Sequence, residues 1–205
     1  MQGWGCVVGR SAKYSDQHIL DAALAVVAAE GPGGASVVAI AKHLGAPSGS
    51  VYHRFASRDL ILATLWTRTV RRFQEGFLAA LDNPAPLAAA RAAVAHVLTW
   101  SAAHAAEAKL LTLYRREDLI ALWPEELGED LATLNDGVKR AVIAFAAAHF
   151  GSVDNSTLGR AQFALIDIPY AAARRIIDSG DRAPRLEEAV VAASLAALGA
   201  TGTES

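Results

Sequence analysis

The sequence contains only one cysteine, Cys6, among 205 residues. A single thiol excludes an intrachain disulfide and a cysteine-based metal cluster. Long apolar runs are also lacking, because none approaches the roughly 20 residues that cross a bilayer, and the N-terminus has no apolar segment of the signal-peptide kind. We therefore expect a cytoplasmic protein without a membrane partner.

An excess of one charge is missing too. The chain has 19 Lys and Arg residues against 21 Asp and Glu residues, which gives a net charge of -2. Residues 1–80 nevertheless hold eight basic and five acidic side chains, and residues 81–205 hold eleven and sixteen. The positive balance of the first part suits contact with phosphates, so a nucleic-acid partner is expected at that end.

Strand patterns and enzyme motifs are absent as well. The sequence shows no alternating apolar pattern of usable length and no repeat, whereas its composition is 53% apolar and rich in alanine, which favours helices. The predicted fold class is therefore all-α. Nothing resembles a nucleophilic triad, a P-loop or a dinucleotide fingerprint, so we expect neither an enzyme nor a bound cofactor.

Ser36 opens a pattern of two short helices joined by a tight turn. It is a typical N-cap, and apolar residues follow at helical spacing until Gly45, where a left-handed conformation ends a helix most readily. A second helix restarts after Pro47, with Val51 and Phe55 as its apolar stripe. The remaining side of this helix is polar or basic: Ser48, Ser50, Tyr52, His53 and Arg54. Such a pair is typical of the helix-turn-helix unit, whose second helix enters the DNA major groove.

A dense set of residues in this stretch also carries a family resemblance. The set consists of Ser36, Ile40, Ala41, Gly45, Gly49, the run Val51–Phe55 and the run Ser57–Leu60. It resembles the DNA-binding domain of TetR-type (tetracycline-repressor-like) transcriptional regulators. The resemblance implies DNA contacts at Tyr52 and His53, and a homodimer that binds DNA. The rest of the chain is similar only in length and helical character.

We predict ten DNA-contact residues: Ser36, Lys42, Pro47, Ser48, Gly49, Ser50, Tyr52, His53, Arg54 and Arg58. Hydroxyls and amides at helix N-termini favour phosphates, and an arginine can bind guanine with two hydrogen bonds. At the position of Arg54 the family often has an aromatic residue, which leaves its role open. A solvated surface side chain is the alternative interpretation for Tyr52, His53 and Lys42.

Glycine- and proline-rich segments divide the chain. Residues 1–13 are expected to form a flexible arm and residues 14–60 the helix-turn-helix domain. A long helix over 58–81 connects it to residues 82–205, a ligand-binding and dimerisation domain that begins at Asp82–Pro86. Helices are predicted there over Leu87–Ala106 and Ala105–Tyr114, from Pro124 to Phe150, from Asp154 to Ser179 with a bend at Pro169, and from Pro184 onward.

An effector site is predicted among aromatic, histidine and acidic residues on these helices. They are Trp66, His96, Trp100, His104, Tyr114, Trp123, Phe163, Asp167 and Tyr170, and ordinary core packing is the alternative for each. Asp167 lies in an apolar stretch, so we expect a buried carboxylate that needs a partner. His104 and Glu107, three residues apart, could instead bind a metal, but without a second such pair no metal is expected.

A single recognition helix reads only a few base pairs, so we expect a homodimer on a near-palindromic operator, with its two recognition helices one DNA turn apart. The last two long helices are rich in alanine and are the predicted dimer surface. An unidentified small apolar or aromatic effector would shift the 58–81 helix and release the DNA. The sequence thus predicts a ligand-responsive repressor. The alternative is an all-α small-molecule-binding protein or an enzyme that uses the His/aromatic pocket without binding an operator.

Overall fold

The computed structural model describes residues 14–113, 128–179 and 184–199. In this part of the chain there are eleven α-helices, one π-helix and no strand, which confirms the predicted all-α fold. The expected arm, Tyr114, Trp123 and Pro124 lie outside the described residues. The chain divides into two compact units, Met1–Leu65 and Trp66–Ser205, so the division falls inside the long helix and not at the Asp82–Pro86 break.

The first unit contains three helices and the beginning of a fourth. Their bounds are α1 Asp16–Gly34, α2 Val37–Leu44, α3 Ser48–Tyr52 and α4 Arg58–Leu81. The helices of the second unit that follow α4 are α5 Pro86–Ala103, α6 Ala105–Leu113, α7 Gly128–Thr133, α8 Asp136–Phe150, α9 Asn155–Gln162, the π-helix Phe163–Asp167, α10 Ile168–Ser179 and α11 Pro184–Gly199.

The apolar faces predicted from sequence form the core of the first unit. Ile19 and Leu20 of α1, Ile40 of α2 and Val51 of α3 are buried, and so is Phe55 just beyond α3. α1 packs against α2 and α2 against α3. Burying a side chain of this size contributes about 1.5–3 kcal/mol, so these few residues hold three short helices together.

Side-chain caps begin α1 and α4. The Ser15 hydroxyl accepts from the His18 backbone amide, and the His18 ring accepts from the Ser15 amide in return. The Ser57 hydroxyl accepts from the Leu60 amide at 3.1 Å and caps α4. α1 is interrupted at Gly31, whose φ of 76° is not helical, as the glycine-rich sequence there predicts.

α3 begins directly after Pro47, as the sequence predicts, and no side chain caps it. An expectation about a later helix is wrong. The single long helix expected before Phe150 is broken into α7 and α8 by a turn at Leu134–Asn135. The break has a physical cause, because the Asn135 side chain accepts a hydrogen bond from Gln74, and Asp and Gly, both weak helix formers, follow it.

The bend predicted at Pro169 takes the form of a π-helix immediately before it. The Ile168 amide donates to the Phe163 carbonyl five residues back. Proline has no amide hydrogen to continue the ladder, so the wider turn accommodates the missing bond. Pro169 itself is buried.

The core of the second unit is centred on α5, which packs against both α10 and α11. The buried residues of this core are mostly alanines and branched aliphatics, together with Phe77 and Phe145. The alanines and aliphatics include Ala90, Ala93, Val94, Leu98, Val142, Ala146, Leu165, Val190, Val191 and Leu198. Alanines on α5 let neighbouring helices approach closely. In the described ranges, no helix combines the length and apolarity that a bilayer crossing requires.

Candidate DNA-binding surface and effector cavity

The turn between α2 and α3 is built as the sequence predicts. The Ser36 hydroxyl accepts from the Ala39 amide at 3.1 Å and begins α2. At the other end Gly45 has φ 68° and ψ 32°, its amide donates to the Lys42 carbonyl, and the Ala46 amide donates to the Ala41 carbonyl at 2.9 Å. These two bonds form the Schellman motif, in which glycine adopts the left-handed conformation at little cost.

α3 shows one buried and one exposed side. Val51 is fully buried, and Phe55 just beyond the helix is 5% exposed. Tyr52 is 55% exposed, and Ser48, Gly49 and His53 are exposed as well. The helix ends at Tyr52, so His53 and Arg54 lie in the following turn and not on the helix where the sequence placed them. The outward side thus presents hydroxyl groups, an imidazole and a glycine backbone.

The two predicted arginine contacts are engaged within the first unit. The Arg54 guanidinium donates to Asp16 Oδ1 at 2.6 Å, which ties the turn after α3 to the start of α1. Arg58 donates from Nε to the Ala35 carbonyl at 2.9 Å and from Nη2 to the Pro32 carbonyl. Both guanidiniums therefore support the domain itself. The exposed predicted contacts that remain are Ser36, Lys42, Pro47, Ser48, Gly49, Tyr52 and His53, with Ser50 half-buried.

A cavity of about 580 Å³ lies in the second unit, within the ~300–1,000 Å³ range of small-molecule sites. Its walls come from α4, α5, α8, α9, the π-helix and α10. The lining residues are Val70, Phe73, Gln74, Phe77, Val97, Asn135, Val138, Lys139, Val142, Ile143, Leu158, Gln162, Leu165, Ile166 and Tyr170. The lining is mostly aliphatic and aromatic, with a few polar side chains, which is the composition of a ligand pocket.

Three polar residues of the lining come from neighbouring positions on α4 and at the start of α8. Gln74 Nε2 donates to Asn135 Oδ1 at 2.9 Å. Lys139 lies one turn after Asn135, and its backbone amide donates to the Asn135 carbonyl at 3.0 Å. The Lys139 ammonium is 3.4 Å from Asp136 Oδ1 in an exposed pair that contributes little to stability. We call these three residues the Gln74–Asn135–Lys139 corner; Gln162 and Tyr170 are the other polar residues of the lining.

Of the residues predicted to bind an effector, the structure places Tyr170 in the cavity wall. Trp66 and Trp100 are buried outside the lining. Phe163 is 53% exposed, and Asp167 is exposed, so the expectation of a buried carboxylate at Asp167 is wrong. Asp167 precedes Pro169 on the outer side of the π-helix and therefore needs no buried partner.

His96, Trp100 and His104 do cluster, as their spacing of four predicts, but in a packed group beside the cavity. Phe73 packs against the ring of His96 at 5.5 Å and against the ring of Trp100 at 5.3 Å, and Trp100 stacks on His104 at 4.9 Å. His96 Nε2 is 2.9 Å from the Phe73 carbonyl, and His104 Nδ1 is 3.1 Å from the Trp100 carbonyl. Phe73 alone among these rings lines the cavity.

The alternative metal site at His104 and Glu107 is not formed. Glu107 is buried, and its carboxylate binds the Arg72 guanidinium at 2.5 Å. His104 contacts the carbonyl of Trp100. Within the described ranges no group of three or more His, Cys, Asp or Glu side chains could hold a metal ion.

Sequence reasoning missed the α8 wall of the cavity, which contains Val138, Lys139, Val142 and Ile143. A signal was present, since a lysine stands within an otherwise apolar helical face. It was overlooked because aromatic and histidine residues were weighted above aliphatic ones, whereas aliphatic side chains form most of this cavity.

Residues 19–65 match a known family model, described as bacterial regulatory proteins of the tetR family. No curated protein matches the chain in sequence. The chain is similar in structure to the fatty acid degradation regulator FadR from Bacillus halodurans, with a TM-score of 0.67, 19% identity, and coverage of 92% of this chain and 100% of that one.

Two further solved structures have the same fold. One is a tetR-family regulatory protein from Rhodococcus RHA1, with a TM-score of 0.71, 19% identity, and coverage of 91% of this chain and 98% of that one. The other is a TetR transcription regulator from Haloarcula marismortui, with a TM-score of 0.70, 14% identity, and coverage of 90% and 96%. The helix-turn-helix domain at residues 19–65 therefore matches the tetR family model, and the chain has the fold of these solved structures over about nine tenths of its length.

Proposed function

We propose that this chain is a homodimeric transcriptional repressor that binds an operator through α3 and releases it when a small effector occupies the cavity. The observation that carries the proposal is the two-sided character of α3. Val51 and Phe55 anchor it in the core, while the large Tyr52 side chain and His53 stay exposed. An exposed aromatic hydroxyl on a recognition helix and an imidazole in the turn that follows it suit contact with phosphates and base edges.

DNA contact is assigned to the exposed members of the predicted set, with Tyr52 and His53 at the centre. Lys42 adds a charge at the end of α2, where it is exposed. Arg54 and Arg58 have a supporting role, because their guanidiniums hold α1, the turn after it and α4 in place. Most of these contacts position the protein on DNA, and few of them specify the sequence.

The dimer is proposed to form through α10 and α11, the last two long helices. Ala171, Ala189 and Ala193 are exposed on them and allow close approach of a second copy, whereas Ala161 and Ala164, two other alanines expected there, are buried in the chain's own core. Phe163 on the adjoining π-helix is half exposed, and an exposed aromatic beside small residues favours association. An isologous two-fold contact would pair each face with its own copy.

Effector action is proposed to pass through α4. Val70, Phe73, Gln74 and Phe77 of α4 line the cavity. The same helix begins at Arg58, which donates to carbonyls of the turn that precedes α2. A ligand that moves α4 would therefore act directly on the DNA-binding unit. A coupling free energy of a few kcal/mol between the two sites would suffice for switching.

The test is a fluorescence-anisotropy titration with DNA from upstream of the chain's own gene, repeated over a series of salt concentrations. We expect sequence-specific, salt-dependent binding, and we expect Tyr52→Ala and His53→Ala each to weaken it about tenfold or more, as loss of ~1–3 kcal/mol implies. Arg140→Ala, on the exposed side of α8, is the matched control and should bind like the parent.

Circular dichroism checks that each variant keeps its helices, since both altered side chains are exposed and support no core contact. If both variants bind DNA as tightly as the parent, α3 does not contact the DNA. A protein that is monomeric in sedimentation and shows no preference for any DNA sequence would refute the proposed function as a whole.

A further inference from the structure

The charge of the cavity lining differs from what the sequence led us to expect. Among the described residues that form the lining, Lys139 is the charged one, and no carboxylate is present. Asp167, which the sequence predicted as a buried carboxylate of the effector site, is exposed outside the cavity. The ionised group that the described lining contains is therefore a cation, and its carboxylate neighbour Asp136, 3.4 Å away, lies outside the lining.

The position of Lys139 determines where a charged group would lie. Its side chain is 66% exposed although the residue lines the cavity, which places the ammonium at the cavity mouth. Lysine commonly extends its charge into water while its methylene groups contact apolar surface. A ligand held there keeps its head partly hydrated while its body enters the cavity, which avoids the cost of burying a charge.

Donors suited to an oxyanion occur on the other two residues of the same corner. Asn135 and Gln74 carry side-chain amides that already meet at 2.9 Å, and Lys139 lies one helical turn from Asn135. A carboxylate accepts from an ammonium and from amide N–H groups at the same time, and such charge-assisted bonds are about twice as strong as neutral ones. The Gln74–Asn135–Lys139 corner thus matches a planar anionic head.

The rest of the lining suits an apolar body. Phe73 and Phe77 of α4 and Val142 of α8 are examples, and the volume of about 580 Å³ accommodates a chain or ring system of small-molecule size. A molecule that is charged along its whole length would lose hydration against these walls without compensation. Only a ligand with one polar end satisfies both parts of the cavity.

We propose that the effector is an amphipathic carboxylate, with its head at the Gln74–Asn135–Lys139 corner and its apolar body among Phe73, Phe77 and Val142. This inference rests on the proposed function, in which the same cavity binds the effector. Asp136, whose carboxylate is 3.4 Å from Lys139, competes with the head for the ammonium. The head also competes with the hydrogen bond from Gln74 to Asn135, and this bond links α4 to the start of α8. Head binding therefore acts on α4 itself.

The experiment compares three probes with the same apolar chain: decanoate, decan-1-ol and decyltrimethylammonium. Each is titrated below its micelle concentration into the full chain by isothermal calorimetry. We expect decanoate to bind about tenfold more tightly than decan-1-ol, as one charge-assisted hydrogen bond implies, and the cation to bind most weakly. Lys139→Gln should abolish the preference for decanoate over decan-1-ol while leaving decan-1-ol binding unchanged.

Three further variants separate the head site from the cavity. Lys109→Gln removes an exposed lysine of α6 that does not line the cavity, and it should behave like the parent. Asp136→Asn removes the competing carboxylate and should tighten decanoate binding severalfold. Val142→Trp fills the cavity and should prevent binding of all three probes, with circular dichroism as the check on folding.

Equal affinity for decanoate and decan-1-ol, tightest binding of the cation, or a decanoate preference that survives in Lys139→Gln would each overturn the proposal. So would the absence of binding by all three probes. The anisotropy titration with operator DNA is performed on the same preparations. If the probes fail but operator binding is intact, only the ligand assignment is wrong. If operator binding is absent as well, the proposed function is also refuted.

Discussion

Gly76 of α4 is a position where a single methyl group should be costly, although it lies in the interior of a helix. A Cβ atom built there comes within 2.2 Å of His96 Cε1 and 2.7 Å of His96 Nδ1. The His96 ring occupies this space because its Nε2 contacts the Phe73 carbonyl at 2.9 Å. We therefore expect Gly76→Ala to destabilise the second unit.

The magnitude follows from opposing contributions. Alanine gains up to about 1 kcal/mol over glycine from helix propensity. Displacing the ring loses a hydrogen bond of about 1 kcal/mol and forces a packed group apart at a typical cost of about 1–3 kcal/mol. The ring also packs against Phe73 at 5.5 Å, so it cannot move without disturbing that contact. We expect a net loss of about 1–3 kcal/mol in the free energy of unfolding.

Urea unfolding followed by circular dichroism measures this change. Gly159→Ala is the matched control, because Gly159 lies within α9 and a Cβ there would have no neighbour within 4 Å. The control should be neutral or stabilising by up to about 1 kcal/mol. The two glycines have the same helical setting and differ in what lies beside them.

A double-mutant cycle with His96→Ala isolates the contact. In the His96→Ala background the new methyl group meets no imidazole, so Gly76→Ala should become stabilising by up to about 1 kcal/mol. The coupling between the two changes, which is the loss in the parent plus this gain, should reach about 1–4 kcal/mol. The reasoning is refuted if Gly76→Ala stabilises the parent as Gly159→Ala does, or if the two changes are additive.

Two other changes test polar contacts of the second unit. Arg72→Ala leaves the buried Glu107 carboxylate without the guanidinium at 2.5 Å. We expect the free energy of unfolding to fall by about 1–3 kcal/mol, less than for a fully buried pair because Arg72 is half exposed. Replacing both residues by alanine should recover part of this loss in urea titrations. Asp154→Ala should lower the melting temperature, because Asp154 caps α9. The pKa of Asp154 lies below the ordinary value mainly because the Thr157 backbone amide donates to its carboxylate. The stabilising contribution of this carboxylate is therefore present at neutral pH and lost as the pH falls below about 4. Below that pH the melting temperatures of the parent and of Asp154→Ala should converge.

The helix-turn-helix could be predicted in detail because its signals are local. Ser36 as a cap and Gly45 as a left-handed helix end depend on residues within one turn, and the structure confirms both. The burial of Val51 and Phe55 follows from a spacing of four on a short helix. The roles of Arg54 and Arg58 could not be predicted, since Asp16, Pro32 and Ala35, their partners, are distant in sequence.

The cavity could not be placed from sequence, because its walls bring together α4, α5, α8 and the segment from α9 to α10, which are distant from one another along the chain. Individual lining residues such as Val138 or Leu158 have the same local pattern as core residues. The helix break before α8 could not be predicted either, because the hydrogen bond at Asn135 comes from Gln74 on α4, which is distant in sequence. On α4 the spacing is informative, because Val70, Phe73 and Phe77 recur at intervals of three and four residues, which predicts one shared side, and all three line the cavity.

The π-helix before Pro169 makes this segment the place where the chain can vary by one residue. A π turn accommodates one residue more than an α turn, whereas each residue of a regular α-helix rotates the chain by about 100°. Deleting one residue between Phe163 and Asp167 would therefore restore regular helix and leave the later side chains of α10, including Tyr170 of the cavity wall, in place. Homologous proteins that share the pocket should differ by at most this one residue here, and by none in the regular helix between the π-helix and Tyr170.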